Sequence, residues 1–359
     1  NLPDVAVDAA YACAPQAGPL GWSPWSGSLP AAALNAVWGS TARDVWAVGD
    51  YGTAVHWDCA TWSRVSLPAP ISDLRGVWGS SSADVWAVGH RTNQSPMGTV
   101  FHWDGVSWSL SIDVTATFAV TGLRADLNAV WGASADDVWA VGGGGFWDGV
   151  GFREYCDPLI LHWDGMAWSR VAGPKSASGW VLRAIAGISS TDVWAVGYRC
   201  YGGHSTNDEV LHWDGQLWSE VLTGLPDYSR LTAVAAALGW SVWAAGDFQW
   251  DGGSAHLARW GGSAWTVDPN EPDINPAVNA PTISSLWAGG ATVGWAVGAY
   301  GLVLGWDGNQ WTRTASGTVL DLRGVWGSSA KEAWAVGGTS STSRGITTSS
   351  GIVLHYVGQ

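Results

Sequence analysis

One sequence unit recurs seven times along the chain, and this repeat determines the class of fold. A complete copy reads LNAVWGSTARDVWAVG, followed a few residues later by AVHWDCATWSRV. Successive copies start between 39 and 55 residues apart, at Leu34, Leu74, Leu127, Leu182, Leu231, Ile283 and Leu322. A period of this size with four short apolar runs per unit is typical of β-propellers, in which each unit forms one four-stranded blade.

Each copy contains four apolar runs, which we name strands a (LxxVWG), b (DVWAVG), c (VLHWD) and d (ending in WSRV). The runs are short and are separated by Gly, Ser and Asp, which favours strands over helices. Asp-Gly after strand c is a strong signal for a tight turn. This pair occurs at Asp104, Asp164, Asp214 and Asp307.

The seventh copy lacks strand d, and the N-terminal segment GWSPWSGS supplies a candidate, with Trp25 in the strand-d tryptophan position. A strand that completes the last blade closes the ring and leaves no free inner edge. We therefore predict an all-β fold, a seven-bladed β-propeller whose last blade is closed by an N-terminal strand. Residues 1–20 are predicted to be an N-terminal tail and residues 21–359 a single propeller domain.

Tryptophan is the most unusual part of the composition, with 30 residues. Most of them, 25 in all, occupy repeated framework positions, where large flat rings are expected to pack between blades. Five do not follow the repeat, namely Trp22, Trp147, Trp180, Trp240 and Trp250. Packing alone does not account for these five, and three of them, Trp147, Trp180 and Trp250, are predicted to contact a ligand.

The copies differ in length mainly between strands b and c, where five of them carry inserts. In a propeller, the b–c and d–a connections lie on the same face. The inserts are therefore expected to lie together on one face of the ring, which we call the insert face. We expect exposed aromatic rings there to stack on a sugar and carboxylates to accept its hydroxyl groups. The predicted ligand-binding residues are Trp147, Asp148, Trp180, Tyr198, Tyr201, Phe248, Trp250 and Asp251.

The four cysteines form an even number, which favours an oxidising compartment and disulfide bonds. Cys156 and Cys200 fall in the inserts of neighbouring copies, which predicts one bridge. Cys59 lies in the c–d turn of the first copy and Cys13 precedes the closing strand, which predicts a second bridge that pins the tail. We expect the protein to be secreted or held on the extracellular surface.

Charge and motifs exclude several functions. The chain carries 16 basic and 30 acidic residues, a net charge of −14, which argues against a nucleic-acid partner. It has no apolar run long enough for membrane insertion. The GxSxG, GxGxxG and P-loop motifs do not occur. We predict no catalytic residue and no cofactor.

The histidines of the HWD motif occur once per blade, so they cannot converge on one metal ion. They are expected to form hydrogen bonds within their blades, as are the acidic residues that begin strand b. We predict no metal site, although the carboxylates of the inserts leave a calcium site open as an alternative to solvated side chains.

The unit VWG…DVWAVG…HWDGxxW resembles the tectonin-type repeat of propeller lectins. The match lies in the paired Trp-Gly and Val-Trp strands and in the Trp-Asp-Gly turn before the final Trp, and it covers nearly the whole chain after Gly21. The resemblance implies binding of glycans and microbial surfaces. A more distant likeness is to the Asp-box repeat of sialidases and related propellers, on the adjacent Asp164 and Gly165.

These observations predict a non-enzymatic, lectin-like binding protein that recognises a glycan or surface polysaccharide on the insert face. Two alternatives remain open. One is a protein-binding scaffold whose acidic surface holds a basic partner. The other is a glycoside hydrolase, which would need two carboxylates about 5–9 Å apart.

Overall fold

The computed structural model describes residues 20–29, 31–68, 73–91, 97–118, 125–147, 154–174, 179–199, 208–225, 229–239, 241–248, 254–269, 282–343 and 346–358. Its strands form seven antiparallel sheets of four strands each, arranged as the blades of a propeller. The predicted tail, residues 1–20, lies outside this description except for Leu20.

The strands of the first four blades follow the predicted order a, b, c, d. Blade one contains β2 (Leu34–Thr41), β3 (Asp44–Gly49), β4 (Thr53–Trp57) and β5 (Trp62–Arg64). Blade two contains β6 (Asp73–Ser81), β7 (Asp84–Arg91), β8 (Met97–Trp103) and β9 (Trp108–Asp113), followed by a short helix α1 (Val114–Phe118). Blade three contains β10 (Asp126–Ser134), β11 (Asp137–Trp147), β12 (Glu154–Trp163) and β13 (Trp168–Arg170). Blade four contains β14 (Trp180–Ser189), β15 (Asp192–Arg199), β16 (Asp208–Trp213) and β17 (Trp218–Glu220).

The remaining blades repeat this order, and the last one takes its outer strand from the N-terminus. Blade five contains β18 (Ser229–Ala235), β19 (Trp243–Phe248), β20 (Ser254–Trp260) and β21 (Trp265–Val267). Blade six contains β22 (Ile283–Gly290), β23 (Val293–Gly298), a 3₁₀ turn (Ala299–Gly301), β24 (Val303–Trp306) and β25 (Trp311–Arg313). Blade seven contains β26 (Leu322–Ser329), β27 (Glu332–Ser343), β28 (Ile346–Val357) and β1 (Gly21–Pro24).

Strand β1 closes the ring by pairing antiparallel with β28, as predicted. Trp22 lies opposite Tyr356, in the register that Trp62 has with Trp57 in blade one. Trp22 is buried and its ring lies 5.0 Å from that of Trp295. The assignment of Trp25 to the strand-d position was therefore wrong, because both tryptophans precede a serine and the pattern alone does not separate them.

The core lies between the blades. The tryptophan of strand b in each blade packs edge-on against the tryptophan of strand d in the next blade. Ring centroids in these seven pairs are 5.0–5.7 Å apart and the planes cross at 81–87°. Edge-to-face contacts of this kind are favourable for aromatic rings, so the framework tryptophans stabilise the ring by packing, as predicted.

The strand-c histidines bond within their own blades, which confirms the predicted role. His102 Nε2 lies 2.7 Å from Asp84 Oδ1, and His162 Nε2 lies 2.8 Å from Asp137 Oδ1. His212 makes the same contact with Asp192 at 2.9 Å. Each ring also stacks on the strand-b tryptophan of its blade, with centroids 4.1–4.3 Å apart in these three blades.

Candidate binding site on the insert face

Strand a lines the central channel, and its second residue lies at the end nearest the insert face. In blade one, Leu34 pairs with Gly49 at the end of strand b, where the b–c connection begins, so Asn35 lies at this end. The equivalent residues of all seven blades line one cavity of about 520 Å³. We call this set the polar ring: Asn35, Arg75, Asn128, Arg183, Thr232, Ser284 and Arg323.

Hydrogen bonds connect members of the polar ring from blade to blade. Arg323 Nη1 donates to Asn35 Oδ1 at 2.8 Å, and Asn35 Nδ2 donates to the carbonyl oxygen of Leu74 at 2.9 Å. Arg75 Nη1 donates to Asn128 Oδ1 at 2.7 Å, and Asn128 Nδ2 donates to the carbonyl of Leu182 at 2.8 Å. These bonds hold the side chains in fixed positions around the opening.

Acidic residues lie beside two of the arginines. Arg323 Nη1 is 3.7 Å from Asp50 Oδ1, and Arg75 Nη1 is 3.5 Å from Asp126 Oδ2. Asp50 and Asp73 also line the cavity. The opening therefore presents both hydrogen-bond donors and acceptors, and it carries both positive and negative charges.

Arg183 differs from the other two arginines. Its side chain is exposed, and no ion pair joins it to a carboxylate within the part of the chain that the structure describes. The Arg183 Cζ lies 5.9 Å from the centre of the Tyr198 ring, and Arg230 Cζ lies 5.4 Å from the same ring. Tyr198, a predicted ligand contact, is half-buried and holds two guanidinium groups beside the cavity.

Trp180 is not available to a ligand. Its side chain is completely buried, because strand a of blade four begins at Trp180, two residues before Leu182, and carries the ring into the core. Its ring packs with the apolar residues between blades three and four. The expectation that Trp180 forms a platform for a sugar is therefore wrong.

Most of the other predicted contacts lie outside the described residues. Asp148, Tyr201, Trp250 and Asp251 are among them. Trp147 is the last residue of strand β11 and Phe248 is the last residue of strand β19. The structure describes the backbone of these two residues but not their side chains. Their role in binding stays a prediction.

Cys59 is disulfide-bonded. Its backbone φ is +81°, at the turn position where Gly105 of blade two has φ +92°. This left-handed conformation favours glycine, so blade one keeps a cysteine at an unfavourable backbone position. Cys13 and Cys200 and the side chain of Cys156 lie outside the described residues, and the two pairings remain predictions.

The sequence-based prediction missed the polar ring, although the repeat contains the pattern that forms it. The second residue of LxxVWG is polar in all seven copies, between an apolar residue and a small one. Only the circular arrangement of the blades brings these positions together at one opening.

In the described portion of the chain, no three His, Cys, Asp or Glu side chains are grouped to hold a metal ion. No helix in that portion is long and apolar enough to cross a membrane.

Comparison with solved structures identifies several propellers. A structure named YCF48 bound to D1 peptide is 17% identical, with a TM-score of 0.60 over 94% of this chain and 97% of the other. A GH74 xyloglucanase from Xanthomonas campestris is 12% identical, with a TM-score of 0.61 over 89% of this chain and 53% of the other. The propeller domain of Cps50 (Swd1) from Myceliophteria thermophila is 11% identical, with a TM-score of 0.58 over 94% and 100%.

These likenesses show the fold. No protein-family model matches the sequence. No curated protein matches it either.

Proposed function

We propose that this chain is a non-enzymatic, lectin-like protein that binds a glycan or surface polysaccharide at the channel opening on the insert face. The polar ring carries this proposal. Asn, Arg, Thr and Ser side chains surround one open cavity of about 520 Å³, with Asp50 and Asp73 beside them. Each sugar hydroxyl both donates and accepts hydrogen bonds, which suits a site where both kinds of partner are held in place.

Three further points support this proposal. The repeat resembles that of the tectonin-type lectins. Trp147 and Trp250 belong to inserts that the repeat predicts on the same face, where their rings would stack on sugars. The even number of cysteines and the disulfide at Cys59 fit a secreted or surface-exposed protein.

A peptide-binding scaffold is the second candidate. The propeller named YCF48 bound to D1 peptide has a similar fold, and a ring of fixed donors and acceptors also suits a peptide backbone.

A glycan array followed by calorimetric titration of its best ligand tests the proposal. We expect Arg183→Ala to weaken binding about tenfold, the effect of losing one charged hydrogen bond. The matched control is Arg64→Ala on the outer strand β5, where the side chain is exposed and far from the channel; it should bind like the wild type. Failure to bind any glycan, or equal affinity of the Arg183 and Arg64 variants, contradicts the proposal.

A further inference from the structure

Blade five departs from the repeat at its border with blade four. Blades one to four and blade seven begin strand b with an acidic residue and carry histidine in strand c, and blade six has Val293 and Gly305 at these positions. Blade five instead has Ser241 and Arg259. Gly261 replaces the aspartate of the following turn. On the other side of the border, blade four has Ile188 at the position of the serine in blades one and two.

Among the described residues, the pairing between strands a and b of blade five also ends earlier than in the other blades. Its last pair joins Ala235 to Trp243. In blade four, pairing continues beyond the equivalent position as far as Ser189 and Asp192.

These changes leave a cavity of about 450 Å³ on the face opposite the inserts. Its polar walls are Asp192 and His212 from blade four, and Ser241, Arg259 and the backbone of Gly261 from blade five. It shares no residue with the polar ring.

Asp192 offers a hydrogen-bond acceptor to this cavity. Its Oδ1 accepts from His212 Nε2 at 2.9 Å and from Trp194 Nε1 at 2.7 Å. In blade two, Ser80 also donates to Oδ2 of Asp84, at 2.5 Å. Ile188 cannot do so, and Oδ2 of Asp192 has no partner among the described residues. The side chain of Asp192 is 39% exposed, whereas that of Asp84 is 19% exposed.

Arg259 and Trp260 offer donors. Arg259 Nε donates to Ser241 Oγ at 2.7 Å, and the terminal nitrogens of this exposed guanidinium have no acceptor within the described chain. In blades two, three, four and six the tryptophan equivalent to Trp260 donates to a carbonyl of its own a–b hairpin at 3.1–3.2 Å. The half-buried Trp260 makes no such bond within the described residues.

We propose that this cavity is a second binding site, and that its ligand is one uncharged sugar residue. Asp192 and Arg259 carry opposite charges that balance across the cavity, so a charged ligand would face one of them unfavourably. An apolar ligand would leave three polar groups without partners, which is costly. Sugar hydroxyls can donate to Asp192 and accept from Arg259 and Trp260, while the half-exposed indole contacts the sugar ring.

Restoring the regular repeat is the sharpest test. The double variant Ser241→Asp/Arg259→His rebuilds the aspartate–histidine pair of blades two to four, so we expect it to fold and to lose the site. The probes are methyl α-D-mannopyranoside, methyl β-D-galactopyranoside and N-acetylglucosamine, titrated by saturation-transfer NMR. At least one should bind the wild type, with about tenfold weaker binding to the double variant.

A second variant covers the case in which the double variant does not fold. Asp192→Asn removes the charged acceptor, and we expect it to weaken binding about fivefold. Asp84→Asn is its matched control in blade two and should bind normally. Arg64→Ala, on the outer strand β5, should also leave this binding unchanged. A loss of probe binding in Arg183→Ala but not in Asp192→Asn would instead place the probe at the channel opening and overturn this proposal, so that failure here is distinct from failure of the proposed function.

Two further results overturn the proposal. One is that none of the three probes binds the wild type. The other is that the double variant binds a probe as tightly as the wild type does and Asp192→Asn binds it as tightly as Asp84→Asn does. Equal binding of methyl β-D-glucuronide would overturn the preference for an uncharged sugar.

Discussion

At the scale of single residues, the strand-a tryptophans dictate which residue the next blade can carry. A Cβ placed on Gly79 would lie 2.7 Å from Cη2 of Trp38, closer than carbon atoms can approach. The same close approach joins Trp326 to Gly39, Trp78 to Gly132, Trp131 to Gly187 and Trp287 to Gly327. The tryptophan of one blade therefore requires a glycine at the equivalent of Gly79 in the next blade, so the Trp-Gly pattern of the repeat reflects a contact between neighbouring blades.

Two blades test this rule within the chain itself. Blades four and five have Ala186 and Ala235 where the others have tryptophan, and the blades that follow them carry Ala236 and Ala288 instead of glycine. Alanine is thus accepted where no indole covers the position.

A double-mutant cycle measures this coupling. We expect Gly79→Ala to destabilise the protein by about 1–3 kcal/mol, the usual cost of overpacking, because the new Cβ would meet Trp38 and also lie 2.6 Å from the carbonyl oxygen of Asp84. In a Trp38→Ala background the same substitution should cost about 1 kcal/mol less. Urea unfolding followed by circular dichroism gives the four free energies. An equal cost in both backgrounds would contradict the rule.

At the scale of elements, the c–d turns make the protein sensitive to acid. Asp104 Oδ1 accepts from the backbone N–H groups of Val106 and Ser107 at 2.9 and 2.8 Å. Those bonds lower the pKa of Asp104 below its usual value of 3.8. The pKa values of Asp164, Asp214 and Asp307 are lowered in the same way. Asp58 in blade one accepts from the N–H groups of Ala60 and Thr61, and its pKa is lowered as well, so the same device recurs in five blades.

A lowered pKa in the folded state means that the unfolded chain takes up protons first as the pH falls. The stability that these carboxylates contribute is present above the ordinary pKa near 3.8 and is lost as the pH falls through the lowered value. We expect the free energy of unfolding to decrease between pH 5 and pH 2. Asp164→Asn/Asp214→Asn keeps the acceptor oxygens without their titration, so its decrease should be smaller. Urea titrations at each pH measure both, and equal slopes would refute this explanation.

Element boundaries explain what the sequence could and could not predict. The repeat predicted seven blades and the closing strand, because strand pairing follows the apolar pattern. It did not predict that strand β14 begins at Trp180 and buries that ring, since residues before Leu182 do not follow the repeat. The cavity beside Arg259 was also out of reach, because it depends on how two blades meet and not on either one alone.

At the scale of the whole molecule, the closure of the ring rests on a short strand. Only four residue pairs join β1 to β28, between residues 21–24 and 354–357. Each border between blades depends on the same tryptophan contact, so the blades support one another around the ring. Trp22 supplies that contact for the last border, where its ring meets Trp295 at 5.0 Å and Tyr356 at 5.4 Å.

Trp22→Ala should therefore lower the stability of the whole propeller. We expect a loss of about 3–5 kcal/mol in the free energy of unfolding, the usual cost of removing a buried aromatic ring. Trp25→Ala is the matched control, because its half-buried ring lies outside the strand and touches only Trp57 among the described aromatic rings, at 4.9 Å. It should cost less than half as much. Urea unfolding of both variants decides the matter: a larger loss for Trp25→Ala would mean that the ring closes through a different register of the N-terminal segment.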